Sequence, residues 1–164
     1  MQSEFLDKAP FIAAPIPIDP AWIDYNGHLN MAYYNVLFDR SGDELCDAIG
    51  IGRAYLEATG RSIFTVEAHL RYLREVNLDD LMRVHIWLID FDAKRMQVFK
   101  ELRHARDGWL SATSETMYVH VDMAARKSSP FGPDALERMA RIKAAHDRLP
   151  RPEGTGRSVA MPGK

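Results

Sequence analysis

Only one cysteine, Cys46, occurs in the 164 residues, which excludes a disulfide framework and a thiolate metal site. It falls inside a helical pattern, where a free cysteine is ordinarily a small buried apolar residue. No stretch approaches the ~20 consecutive apolar residues that a membrane span needs. The start, Met-Gln-Ser-Glu-Phe-Leu-Asp-Lys, carries acidic side chains and no apolar run, unlike a targeting segment. Excess charge of one sign is missing too: 21 Lys plus Arg stand against 23 Asp plus Glu, with the signs interleaved. This balance gives no reason to expect nucleic acid or a membrane as partner. His85, His104, His120 and His146 have no companion at ligand spacing, so no metal is expected. Internal repeats and low-complexity domains are also absent. These absences leave a cytoplasmic, reduced protein. Its length suits one domain, residues 1–150, followed by a flexible tail, 151–164, with two prolines and three glycines.

What is present is order along the chain. Phe11 to Ile18 is apolar but holds Pro15 and Pro17, which cannot donate to a sheet ladder, so it reads as an edge strand or an extended lead-in. From Asn30 to Ile49 the apolar positions Tyr34, Leu37, Phe38, Leu45 and Ile49 recur at helical spacing, with Asn30 as cap and Gly50 past the end. Ser41 and Gly42 fall on or beside this stripe. A glycine there costs about 1 kcal/mol relative to alanine, and close packing against a sheet is the expected compensation. A short helix over Arg53 to Ala58 ends at Thr59-Gly60. The period then changes: Phe64, Val66, Ala68, Leu70 and Tyr72 alternate with polar residues, which predicts a half-buried strand with the apolar set facing the helix. Strands over Met82 to Phe91, Met96 to Ala105 and Trp109 to Val121 follow, joined by short links that include the hairpin signal Asp107-Gly108. Pro133 opens a last helix through Arg148. The class is α+β: a curved antiparallel sheet wrapped around one long central helix, plus a C-terminal helix. Such a sheet leaves unpaired edges, and a second copy protects them economically, so a homodimer or homotetramer is expected.

The densest chemistry lies in Trp22-Ile-Asp-Tyr-Asn-Gly-His-Leu-Asn30, a carboxylate, two amides, an imidazole and a glycine set against the start of the long helix. Helix N-termini gather unpaired N–H groups and positive dipole charge, which suits a developing oxyanion. Each member also has a plain reading: Asp24 and Asn26 as turn formers, Gly27 for backbone freedom, Asn30 as a cap.

The order Asp24-x-x-Gly27-His28-x-Asn30, between a first strand and a long helix and ahead of the meander, resembles the hotdog-fold thioesterases of the 4-hydroxybenzoyl-CoA thioesterase type. The spacing Asp24-x-Asn26-x-His28-x-Asn30 is also similar to the catalytic segment of plant acyl-carrier-protein thioesterases. The resemblance covers roughly residues 11–122. It implies hydrolysis of an acyl thioester, with Asp24 as nucleophile or general base and amides near Leu29, Asn30 and Met31 as oxyanion donors. It further implies Asn26 orienting water or the carboxylate, His28 steadying either or moving a proton, and no cofactor, coenzyme A being part of the substrate.

Trp22, Tyr25, Tyr33 and Tyr34 cluster about the motif, and aromatic rings line acyl pockets or cage a quaternary ammonium. The stretch from Asp24 to Arg40 is similar to thioesterases of bacterial carnitine breakdown, which act on betainyl-CoA. Glu67 and His69 form a second candidate pair, for substrate contact or with the Glu67 carboxylate as base in place of Asp24, although their alternation turns them away from the helix. Two other readings stay open: a hotdog dehydratase or hydratase acting on a hydroxyacyl thioester, and a noncatalytic acyl-thioester binding protein.

Overall fold

A computed structural model describes residues 9–161. The elements in order are β1 (Phe11–Ile12), β2 (Ile16–Pro17), a 3-10 turn (Pro20–Trp22), α1 (Met31–Ile49), α2 (Arg53–Thr59), β3 (Arg61–Tyr72), β4 (Leu81–Phe91), β5 (Arg95–His104), β6 (Leu110–Asp122), β7 (Lys127–Ser128) and α3 (Pro133–His146). One antiparallel sheet runs in the order β1-β4-β5-β6-β3, with β2 also on β4 and β7 on β6. The expected lead-in is therefore two short edge pieces, with Pro15 in the break between them and Pro17 at the end of the second. Among the described residues no helix is long and apolar enough to cross a membrane.

Alternation places Val84, Ile86 and Leu88 of β4, Met96, Val98 and Leu102 of β5, and Ala112 and Tyr118 of β6 in one core. Helix α1 covers them with Tyr34, Leu37, Phe38, Leu45, Cys46 and Ile49. Each such large apolar side chain taken from water contributes roughly 1.5–3 kcal/mol. Gly42 lets the helix approach: a Cβ there would lie 2.9 Å from the Tyr118 hydroxyl and 3.1 Å from Lys100 Nζ. Close packing thus explains the glycine inside the helix.

Strand β3 departs from the expected alternation. Its register on β6 shifts between Thr65 and Glu67, so Val66 occupies a bulge. A bulge adds one residue and reverses which parity faces the core. Ile63 and Leu70 pack on the core, whereas Phe64 and Val66 are 48% and 58% exposed. The strand also starts at Arg61, three residues before the apolar pattern suggests. The segment expected to be a flexible tail touches the outer face of the sheet: Gly156 N–H donates to a Glu115 carboxylate oxygen at 2.7 Å. Its last three residues, 162–164, lie outside the described residues.

Lys100 is the unexpected member of the interior. It is 2% exposed, and its Nζ donates to the Phe38 carbonyl at 3.1 Å and the Tyr118 hydroxyl at 2.7 Å. Burial lowers its pKa to about 8, against the pull of Cys46, Asp39 and Asp43. The unfolded chain therefore holds this proton at pH values where the folded chain has lost it, and stability rises as pH climbs above 8. Burial pushes the Cys46 thiol up to about 12 from 9.0 and also raises Tyr118. Both groups reverse the trend once the unfolded chain begins to lose those protons. The gain is thus confined to pH 8–9, with a slope of at most about 1.4 kcal/mol per pH unit. Urea unfolding is expected to show it in the parent and not in Lys100→Met; equal profiles for the two would contradict it.

Candidate active site

The segment from Trp22 to Asn30 is a closed loop built from short-range bonds. Ile23 and Leu29 form a bridge, and Asp24 N–H donates to the His28 carbonyl at 3.0 Å. Gly27 N–H returns to the Asp24 carbonyl at 3.0 Å, with Gly27 at φ +86°, a conformation glycine adopts freely. Inside this turn Asn26 N–H donates to Asp24 Oδ1 at 2.8 Å. One carboxylate oxygen is thereby fixed, while Oδ2 has no hydrogen-bond partner among the described residues. The turn-forming and chemical readings of Asp24 are compatible, because one oxygen serves each.

The loop delivers the chain to α1. Leu29 N–H donates to the Val76 carbonyl at 2.8 Å and Asn30 N–H to the Trp22 carbonyl at 2.9 Å. Asn30 Oδ1 caps the helix by accepting from Ala32 N–H at 3.0 Å. Of the three amides expected to hold an oxyanion, Leu29 and Asn30 are thus already engaged. Met31 N–H has no partner among the described residues. The expectation narrows to that one donor, since a bonded N–H cannot also serve a developing charge.

Asp24, His28 and Met31 line a cleft of about 410 Å³ with Tyr34, Tyr72 and Glu75. The Tyr34 and Tyr72 rings meet edge to face, centroids 5.1 Å apart at 83°. The Tyr72 hydroxyl donates to the Met31 carbonyl at 3.3 Å, tying the end of β3 to the first helical turn. Burial raises the Tyr34 hydroxyl pKa, opposed by hydrogen bonding from Ser111 and Val76, with the nearby Glu75 charge adding to the rise. Tyr72 and Glu75 are missing from the sequence-derived candidates. The only signal for them was the position of Tyr72 at the end of an alternating strand.

Other candidates lie elsewhere. Trp22 stacks on Tyr33 at 5.5 Å and carries the Arg40 guanidinium at 5.2 Å, so neither ring lines the cleft. Tyr25 is 98% exposed and Asn26 is exposed beside it. Glu67 and His69 line a separate cleft on the outer sheet face with Gln97, Glu115 and Met117. The bulge precedes both, so they keep the outward direction that the alternation gave them. There the Glu115 carboxylate accepts from Gln97 Nε2 at 2.6 Å. Among the described residues no group of three or more His, Cys, Asp and Glu is arranged to hold a metal. His120 and His146 serve packing, with Nε2 of His120 against the Tyr55 hydroxyl at 3.0 Å and Nδ1 of His146 accepting from Leu88 N–H at 2.8 Å.

Chemically, the cleft pairs an oxygen base or nucleophile with a backbone donor at a helix start. A thioester carbonyl needs both, an attacking oxygen on one side and a proton donor for its developing negative charge on the other.

A betainyl-CoA thioesterase of Pseudomonas aeruginosa is 38% identical over 146 residues, 89% of this chain and 92% of that protein. An L-carnitine dehydrogenase/betainyl-CoA thioesterase of Rhizobium meliloti is 37% identical over 160 residues, 97% of this chain but 32% of that longer protein. A Staphylococcus aureus protein solved in complex with CoA superposes with a TM-score of 0.86 at 26% identity, covering 94% of this chain and 98% of that one. The sheet wrapped on α1 is accordingly the hotdog fold, and with the thioesterase-like superfamily pattern matching residues 18–139, the chain belongs to that superfamily.

Proposed function

We propose that this protein hydrolyses an acyl-CoA thioester at the cleft between the Asp24 turn and the end of β3, and that its acyl group is betainyl. The observation that carries the reading is that Asp24, with one unengaged carboxylate oxygen, and Met31, whose N–H is unengaged among the described residues, line one cleft. Asp24 either attacks the thioester carbonyl directly, giving an acyl–aspartyl anhydride that a water then hydrolyses to free acid and carboxylate, or deprotonates a water that attacks in its place. Met31 N–H receives the negative charge that grows on the carbonyl oxygen, and the thiolate of coenzyme A departs. His28, lining the same cleft, is placed to pass a proton to it. The chemistry calls for no metal or redox cofactor.

The betainyl assignment is supported by the similarity to the betainyl-CoA thioesterase of Pseudomonas aeruginosa, 92% of which this chain covers, and to the thioesterase-containing protein of Rhizobium meliloti. A homodimer or homotetramer is supported by β3, a 12-residue strand that among the described residues pairs only with β6 and exposes Phe64 and Val66. An open edge of that length invites pairing with a second copy. Cytoplasmic residence fits an acyl-CoA substrate.

A panel measuring free-thiol release from betainyl-CoA, straight-chain acyl-CoAs and 4-hydroxybenzoyl-CoA, with enoyl-CoA hydration in parallel, tests this reading. Fastest turnover is expected with betainyl-CoA. Thiol release from none of them would favour a binding protein, and hydration of enoyl-CoA without thiol release would favour a dehydratase.

A further inference from the structure

The aromatic cluster nearest the motif is already occupied by the protein's own cation. Arg40 lies over the Trp22 ring at 5.2 Å, and Tyr33 stacks on that same ring. A substrate cation would have to displace both contacts. Tyr25, at 98% exposure, has no wall opposite it.

The Asp24 cleft is different. Tyr34 and Tyr72 both line it, and with Tyr34 4% and Tyr72 46% exposed the more accessible of the two residues is Tyr72. The Tyr72 ring is held at two points, by Tyr34 and by its hydroxyl on the Met31 carbonyl. A fixed ring face is the surface a cation without N–H donors can use. Glu75, which lines the same cleft, makes no hydrogen bond or ion pair among the described residues. Of the cleft's other ionisable side chains beyond Asp24, His28 is the proton donor of the hydrolytic step, and Arg74 has its guanidinium drawn over the Trp109 ring at 4.0 Å. The charge balance near Tyr72 therefore favours a cation.

We infer that Tyr72 and Glu75 form a subsite selecting a quaternary ammonium acyl group, the ring supplying its face and the carboxylate an unneutralised negative charge. This inference rests on the hydrolytic reading above and deepens it: the specificity determinants come from the end of β3 and not from the aromatic residues of the motif. A quaternary ammonium accepts and donates no hydrogen bond. Its recognition must therefore come from a ring face and from charge at short range, which are the two things this end of the cleft offers.

The test compares betainyl-CoA with 3,3-dimethylbutanoyl-CoA, which has the same shape with carbon in place of the charged nitrogen. The readout is the ratio of kcat/KM for the two substrates, because a merely structural defect lowers both together and leaves the ratio alone. The parent is expected to favour the cation. Glu75→Gln and Tyr72→Leu are each expected to lower the ratio on the order of tenfold, and Tyr72→Phe, which keeps the ring, to hold it near the parent's. A cation preference in the parent that survives in both Glu75→Gln and Tyr72→Leu overturns the subsite and leaves the hydrolytic reading standing. Thiol release without any cation preference in the parent overturns the selectivity itself. Release from neither substrate nor from any acyl-CoA overturns the hydrolytic reading and this inference with it.

Discussion

Met31→Pro is expected to lower kcat by roughly a hundredfold to a thousandfold, the usual cost of removing one oxyanion donor, while leaving the helix in place. The substitution removes one hydrogen atom that matters and little else. Met31 is the first residue of α1, a position where proline is favoured because the missing N–H has no helical partner. The preceding residue, Asn30, already sits at φ −63° and ψ 140°, the extended conformation that a residue before proline prefers. Its capping bond to Ala32 N–H does not involve Met31 N–H. The Met31 side chain is 64% exposed, so its loss opens no cavity. Circular dichroism and thermal melting report whether the fold is kept, and steady-state kinetics report the loss. A folded variant with the parent's kcat would remove the helix start from the mechanism.

Asp24→Asn is expected to cost more, roughly 10²- to 10⁴-fold in kcat, the range for losing a positioned acid or base. Asparagine is the sharpest replacement here because its side-chain oxygen can still accept from Asn26 N–H, the bond that shapes the turn. What disappears is the charge and basicity of the other position, the one with no partner. KM is expected to change far less than kcat, since the carboxylate acts on the reacting carbonyl and not on the bulk of the coenzyme. Asp24→Ala removes the turn-shaping bond as well. A lower melting temperature for alanine than for asparagine would separate the two roles that this residue combines.

How much of this was legible follows from the range over which each signal acts. The turn was readable because its determinants are local: an aspartate accepting from the N–H two residues on, a glycine at positive φ, an asparagine capping the helix it precedes. The stripe on α1 and the β4–β6 meander were readable from their periods. The bulge at Val66 was not, because inserting one residue into a strand leaves the composition of the alternation intact while turning Phe64 to the other face. Nor was the engagement of the Leu29 amide, whose partner, the Val76 carbonyl, lies 47 positions away. That same long-range bond brings the end of β3 to the motif and makes Tyr72 and Glu75 part of the cleft. Of the aromatic residues next to the motif in sequence, Tyr34 lines the cleft, whereas Trp22 and Tyr33 stack on each other beside Arg40 and Tyr25 is exposed. Proximity along the chain identified the chemistry, and proximity in space identified what surrounds it.

Two carboxylates were candidates for the reacting group, and the structure assigns them to different clefts. The most direct test of the account is therefore thiol release from betainyl-CoA by Asp24→Asn measured beside Glu67→Gln. Asp24→Asn is expected to lose at least about a hundredfold in kcat while Glu67→Gln stays close to the parent. Near-parental turnover by Asp24→Asn, with the loss falling on Glu67→Gln, would contradict it.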